Sequence, residues 1–216
     1  MKKENVYRFA AYRAIKDRII NLDLKPGEKI LETEIAASLN VSRTPVREAL
    51  LMLENEKLVQ CGGSTGFTVR KFSAKEVEEY FSVRKVIEEF VMTLVLKRIT
   101  EEELKAIRKN VQHAEKLLAV KDISGVVRCE SEFHELLYKA AKSEVLFETI
   151  SSLTDKFWWL RAIALNAPRG AAQSVEQHKQ VLAAIEKRDL RTVKRIMRTH
   201  LSDAQEKLAG VHGVLF

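Results

Sequence analysis

Ser42-Arg43-Thr44-Pro45-Val46-Arg47-Glu48-Ala49-Leu50 reads as the opening of a helix whose cationic residues gather at one end. Ser42 and Thr44 offer hydroxyls to the first turn, and Pro45 stands where a missing N–H costs little. Val46, Ala49, Leu50 and then Leu53 recur at helical spacing, so one stripe faces inward. Arg43, Thr44 and Arg47 stay outside, at the N-terminal end. Just upstream, residues 33–39 read as a short helix and Asn40-Val41 as the turn, because Asn tolerates the left-handed conformation that a tight turn requires. Two helices joined in this way make a helix-turn-helix arrangement. Its chemistry suits DNA: arginine pairs bidentately with guanine edges, threonine meets a phosphate or a thymine methyl, and a helix N-terminus favours phosphate. A plain three-helix unit with surface arginines has the same spacing, and spacing alone leaves both readings open.

The pattern continues on both sides. Residues 7–21 supply a preceding helix, ended by Asn21 and an extended run to Pro26-Gly27. Downstream, Leu58-Val59-Gln60 and Phe67-Thr68-Val69 flank Cys61-Gly62-Gly63-Ser64-Thr65-Gly66. This is a β-hairpin with a glycine-rich tip, a wing able to approach a minor groove.

Composition narrows the class. The chain has 216 residues, 46% hydrophobic and 31% charged, which suits one or two domains with a real core and argues against disorder. Only 8 Gly and 3 Pro oppose collagen and turn-rich all-β designs. No apolar run approaches the ~18 residues of a membrane span. The start MKKENVYRF is basic but lacks the apolar stretch of a signal peptide. Cys61 and Cys129 have no metal-ligand spacing, which argues for a reducing, cytoplasmic setting. The net charge is +7; residues 1–72 hold 13 Lys and Arg against 9 Asp and Glu, and residues 73–216 hold 24 against 21. The smaller region therefore has the higher positive charge density, and a polyanion contact is expected there. We place the domain boundary between residues 72 and 73.

Residues 73–216 read as helix throughout, since Gly and Pro are absent from Phe72 to Asp122 and again from Val126 to Ala167. Six helices are expected: after Ser73, after Thr100, and at about 123–141, 145–165, 172–187 and 190–209. Thr100 and Glu103 have the spacing of a capping box. The fold class is mainly α, an N-terminal winged helix-turn-helix followed by an antiparallel all-helical bundle.

Within the bundle, histidines fall unequally. Glu130 and His134 share a helix face with Val127, Leu137 and Ala141; His178 lies on the stripe of Val181 and Leu182; His200 lies on that of Val193, Ile196 and Met197. Three helices thus each direct a histidine inward, one with a carboxylate a turn away. His113 falls opposite its helix's apolar stripe, and His212 lies in the tail. Three imidazoles and a carboxylate suit a divalent ion, Zn or Ni foremost, with positions left open. Packed, hydrogen-bonded core histidines are the bland alternative. A metal-dependent hydrolase is the alternative function, although no second acid/base partner accompanies the set. Arg161, after Phe157-Trp158-Trp159-Leu160, offers a fork to a carboxylate, or serves in helix packing.

Residues 30–36 and the run Ser42–Leu50 resemble the winged-helix domain of the GntR family of bacterial regulators, as do Lys25-Pro26-Gly27 and the late Gly66. The resemblance implies that Arg43, Thr44 and Arg47 meet operator DNA, with Thr33 on the preceding helix and Gly66 at the wing tip. Thr33 stands where many members have a basic residue, and Leu31 replaces the usual polar cap. Residues 73–209 look like the FCD ligand-sensing domain of FadR-type members. That likeness implies a metal held by Glu130, His134, His178 and His200, with Glu130 replacing the usual Asp. It further implies an effector-binding role for Arg84, and an internal ion pair with Glu88, one helical turn on, is the equal alternative. The expected function is a ligand-responsive transcriptional regulator, a repressor, binding a pseudo-palindromic operator as a homodimer. Its effector would be a carboxylate metabolite, and its place the cytoplasm, on the nucleoid.

Overall fold

The computed structural model describes residues 2–63, 66–151 and 153–210, with side chains from Asn5 onward. His212, Ser64 and Thr65 lie outside the described residues. The chain divides into two compact units, one running through Ser73 and the other from Ala74.

The first unit contains α1 (Lys2–Ile20), β1 (Lys29–Ile30), α2 (Glu32–Leu39), α3 (Arg43–Asn55), β2 (Val59–Cys61) and β3 (Phe67–Val69). Ala11, Ile15 and Ile19 repeat every fourth residue along α1 and are fully buried, as are Val46, Ala49, Leu50 and Leu53 of α3, the helix on which α1 packs. Asn40 ends α2 in the left-handed conformation, φ 53° and ψ 47°. Leu31 and Ser42 occupy the N-cap positions of α2 and α3, and neither side chain makes a cap hydrogen bond. For Leu31 there is no acceptor. For Ser42 the reason is Pro45, which sits at the third helical position and has no N–H to give. The sheet order is β1-β3-β2, all antiparallel, with Lys29 opposite Thr68 and Gln60 opposite Thr68 on the other side. Sequence alternation misses β1 because two residues carry no period; pairing with β3 is all that defines it.

The second unit contains α4 (Ala74–Arg98), α5 (Glu101–Ala119), α6 (Ile123–Ala140), α7 (Glu144–Ser151), α8 (Thr154–Asn166), α9 (Gly170–Glu186) and α10 (Leu190–Ala209). The Thr100–Glu103 capping box forms in both directions at the start of α5. Where one helix was expected over 145–165 there are two. The Ile150 carbonyl, which would continue α7, instead accepts from the Leu153 N–H (2.8 Å) and the Thr154 hydroxyl (3.1 Å). No Gly or Pro marks that break. Helix α6 contacts α4, α5, α8 and α9, while α10 packs on α4, α8 and α9. At the α8–α9 corner, a Cβ on Gly170 would lie 2.2 Å from the Ala164 carbonyl oxygen, so only glycine lets α9 begin this close to α8.

Candidate DNA-reading face and buried histidine centre

Arg43, Thr44, Arg47 and Thr33 are all exposed, the first three along the open N-terminal end of α3. The arginines are not loose. Arg43 Nη2 lies 3.0 Å from Glu32 Oε2, and Arg47 Nη1 lies 3.1 Å from Glu32 Oε1. One carboxylate at the start of α2 thus brackets two guanidiniums of α3, each keeping other N–H donors free. Arg47 also stands over the Phe67 ring, 5.8 Å from its centroid, at the root of the wing. Sequence reading missed Glu32, because with Glu34 it looks like ordinary dipole compensation in a helix's first turn. Gly66 adopts φ +85° just before β3, a conformation that favours glycine, and its N–H reaches the Gly63 carbonyl across the wing turn.

In the second unit, the three inward histidines meet. One ligand-grade nitrogen from each of His134 on α6, His178 on α9 and His200 on α10 lies within 4.8 Å of the others. Ring centroids stand 4.7 Å (His178–His200), 5.2 Å (His134–His178) and 5.5 Å (His134–His200) apart. Phe133 stacks on His178 at 3.7 Å and fixes its plane. Burial holds the His134 and His178 imidazoles well below their ordinary pKa and brings His200 down to about 3, with Arg84 and Arg161 adding repulsion. All three are neutral near pH 7, the protonation state in which an imidazole is a ligand.

The surroundings distribute their protons. Arginine has no acceptor, so Arg84 Nη2, 3.1 Å from His134 Nε2, must donate, which places the ring proton on Nδ1. That Nδ1 is 2.8 Å from Glu88 Oε1 but out of line for a hydrogen bond. Glu88 Oε1 accepts instead from Tyr138 (2.6 Å) and from Arg84 Nε (3.3 Å). Glu130 Oε1 approaches His178 Nδ1 at 3.2 Å, while Oε2 accepts the Ser174 hydroxyl. Burial raises the Glu130 carboxyl to about 7 against the opposing pull of Ser174, Arg161 and Arg84. Glu130 therefore sits beside the histidine group rather than among its mutually close nitrogens. Arg84 reaches the histidines directly. Arg161 donates to the Ser131 hydroxyl (2.7 Å), and burial, with Arg84 nearby, lowers it to about 10, so it remains a cation.

A cavity of about 310 Å³ opens onto this centre, with His134, Tyr138, Ser131 and Arg161 on its inner wall and Phe147 and Trp158 farther out. Trp159, next in sequence, is fully buried core. The donor chemistry fits a divalent metal. Neutral imidazoles supply lone pairs: the buried atoms His178 Nε2 and Glu130 Oε1 lack an aligned hydrogen-bond partner, and the His134 Nε2 lone pair, which Arg84 now engages, would turn to an ion. Tyr138 and Asp203, also near the site, were detectable in principle: they stand four and three residues after His134 and His200, on the same helix faces.

A winged helix-turn-helix with a bracketed arginine pair, joined to a helical bundle that holds a buried polar centre beside a cavity, defines a DNA-binding regulator with a sensing domain. Residues 9–69 match the bacterial regulatory proteins of the gntR family, and residues 79–203 match the FCD domain. The chain belongs to the GntR family and carries an FCD domain: it is a transcriptional regulator, not an enzyme, and the hydrolase alternative is set aside. It is 28% identical over 213 residues to the HTH-type transcriptional regulator YdhC of Bacillus subtilis strain 168, covering 98% of this chain and 95% of that protein. It is 27% identical over 197 residues to the HTH-type transcriptional repressor RspR of Escherichia coli K12, covering 91% and 86% respectively. The solved structure of a GntR regulator from Rhodococcus sp. RHA1 superposes with a TM-score of 0.79 at 23% identity, over 95% of this chain and 98% of that one. Among the described residues, no helix is long and apolar enough to cross a membrane.

Proposed function

We propose that this regulator is a metabolite-responsive repressor that binds a pseudo-palindromic operator as a homodimer and senses its effector at a metal-floored pocket. The observation that carries this reading is the position of His134 and Arg161. Both line the cavity of about 310 Å³, and His134 belongs to the cluster of neutral histidines behind it. His134, His178 and His200 would hold the ion, Zn or Ni by donor type, with Glu130 beside them. When bound, the ion supplies a Lewis-acidic anchor for an anionic group of the effector. Arg161 on the wall, still a cation at neutral pH, and Arg84 behind it on His134 add positive charge, which favours a carboxylate metabolite. The outer aromatic residues Phe147 and Trp158 take its apolar part.

On the DNA side, Arg43 and Arg47 read base edges or phosphates, Thr44 and Thr33 flank them, and Gly66 brings the wing close to the duplex. The homodimer is supported by an exposed apolar stripe, Val83, Val86 and Phe90, on the face of α4 opposite its buried residues. A two-fold axis matches two half-sites. The repressor sense is supported by the likeness to RspR, and a repressor acting on operator DNA would work in the cytoplasm, on the nucleoid. Effector binding shifts the population of dimer geometries, so effector and operator disfavour each other reciprocally. The test uses operator duplexes selected from a random library by the wild-type protein. Trp158 emission reports binding of carboxylates at the cavity, and fluorescence anisotropy reports operator affinity. The expected result is a carboxylate that quenches Trp158 and weakens operator binding. Unchanged operator affinity with every carboxylate that binds would overturn the sensing mechanism.

A further inference from the structure

A polar chain runs from the outer face of α10 to His200. Lys207 Nζ donates to Gln173 Oε1 (2.5 Å), and Gln173 Nε2 donates to Asp203 Oδ2 (2.6 Å). Gln177 Nε2 donates to the same Asp203 oxygen (2.6 Å), and Gln177 Oε1 lies 3.0 Å from His200 Nδ1. Donor and acceptor types make this chain directional. A carboxylate offers only acceptors, so both amides must turn their NH₂ groups toward Asp203. Gln177 is then left with its carbonyl oxygen facing His200, and an oxygen there accepts only if His200 Nδ1 carries the proton. The Nε2 of His200 consequently keeps its lone pair. Lys207, which has no acceptor, fixes Gln173 in the same sense from the outside.

We infer that Asp203 is a positioning residue: acting through Gln177, it sets His200 in the Nδ1–H tautomer and reserves Nε2 as a metal ligand. The assignment is a strong constraint, because a free neutral histidine side chain prefers its proton on Nε2. It also explains why a charged group only half-buried on α10 is tied to two glutamines of α9. Asp203 fixes what the histidine can do without touching it.

The tautomer half of the inference stands on the hydrogen-bond chain alone. The ligand half rests on the reading of the three histidines as a metal centre, and the experiment separates the two. With ¹⁵N-labelled histidine in the full chain, long-range ¹H–¹⁵N correlation in chelator-treated protein should show His200 protonated at Nδ1. Asp203→Asn can donate as well as accept, so Gln177 can reverse and His200 should lose this single tautomer. Asp203→Glu, acceptor-only again, should restore it. In parallel, affinity for Zn²⁺ alone, measured by competition with a chromophoric chelator, should fall about 10–100-fold in Asp203→Asn and recover in Asp203→Glu. A wild-type His200 protonated at Nε2, or an Asp203→Asn protein with an unchanged tautomer, would overturn the positioning role. A fixed Nδ1–H tautomer in wild type that is lost in Asp203→Asn, without Zn²⁺ binding by either, upholds Asp203 and refutes the metal centre.

Discussion

Replacing Arg84 by Met should destabilise the second unit far more than replacing Arg84 and Glu88 together. Arg84 is 2% exposed and Glu88 is fully buried, with Nε and Oε1 3.3 Å apart. Glu88 Oε2 already has no partner, so removal of the guanidinium leaves a buried carboxylate with the Tyr138 hydroxyl, at 2.6 Å, as its hydrogen-bond donor. Breaking a buried pair from one side costs about 3–5 kcal/mol. Loss of the Arg84 bond to His134 and of its stacking over Phe157 places the single variant in the upper part of that range. Arg84→Met with Glu88→Leu removes both charges and keeps most of the volume, and should fall within about 2 kcal/mol of wild type. The double variant is then roughly 2–3 kcal/mol more stable than Arg84→Met alone. Urea unfolding followed by tryptophan emission is the assay, because both tryptophans, Trp158 and Trp159, lie in α8 and the signal belongs to the second unit. Chelator and a fixed protein concentration keep metal and subunit linkage out of the comparison. With a slope near 2 kcal/mol per M, a 4 kcal/mol loss moves the midpoint by about 2 M. A single variant within about 1 kcal/mol of wild type, or a double variant equal to the sum of its singles, would refute the view that these charges matter chiefly to each other.

Other outcomes follow from the same geometry. Arg47→Ala should lose about 1–3 kcal/mol of operator binding; a loss confined to the selected operator marks base reading, and an equal loss on random duplex marks phosphate contact. Glu32→Gln, which removes the shared partner of both arginines, should reduce selectivity by at most about 1 kcal/mol, and a larger loss would mean that Glu32 does more than orient them. His178→Ala should lower bound metal, measured by elemental analysis of untagged protein, and leave operator binding intact; equal metal content in mutant and wild type would contradict the site. Cys129 is buried, and that burial pushes its thiol up, whereas Cys61 is half-exposed. A thiol reagent should therefore modify Cys61 quickly and Cys129 only on unfolding, and two fast thiols per chain would disprove that packing.

Much of this protein is set by its sequence. The inward stripe of Val46, Ala49, Leu50 and Leu53 and the left-handed Asn40 dictate the helix-turn-helix, since helical periodicity and one turn residue are local properties. The long stretches free of Gly and Pro dictate helices over most of the remainder, and histidines on three apolar stripes already point toward a common interior. Tertiary structure decided what depends on partners distant in the chain. It paired Lys29 and Ile30 with β3 and let Leu153 and Thr154 take the Ile150 carbonyl, breaking a helix where no breaker residue stands. It brought Glu32 between Arg43 and Arg47, set Glu130 behind His178 and joined Asp203 to His200 through Gln177. Periodicity tells which face of a helix is buried. Which atom meets which, and therefore which nitrogen holds the proton, is settled only when the faces pack.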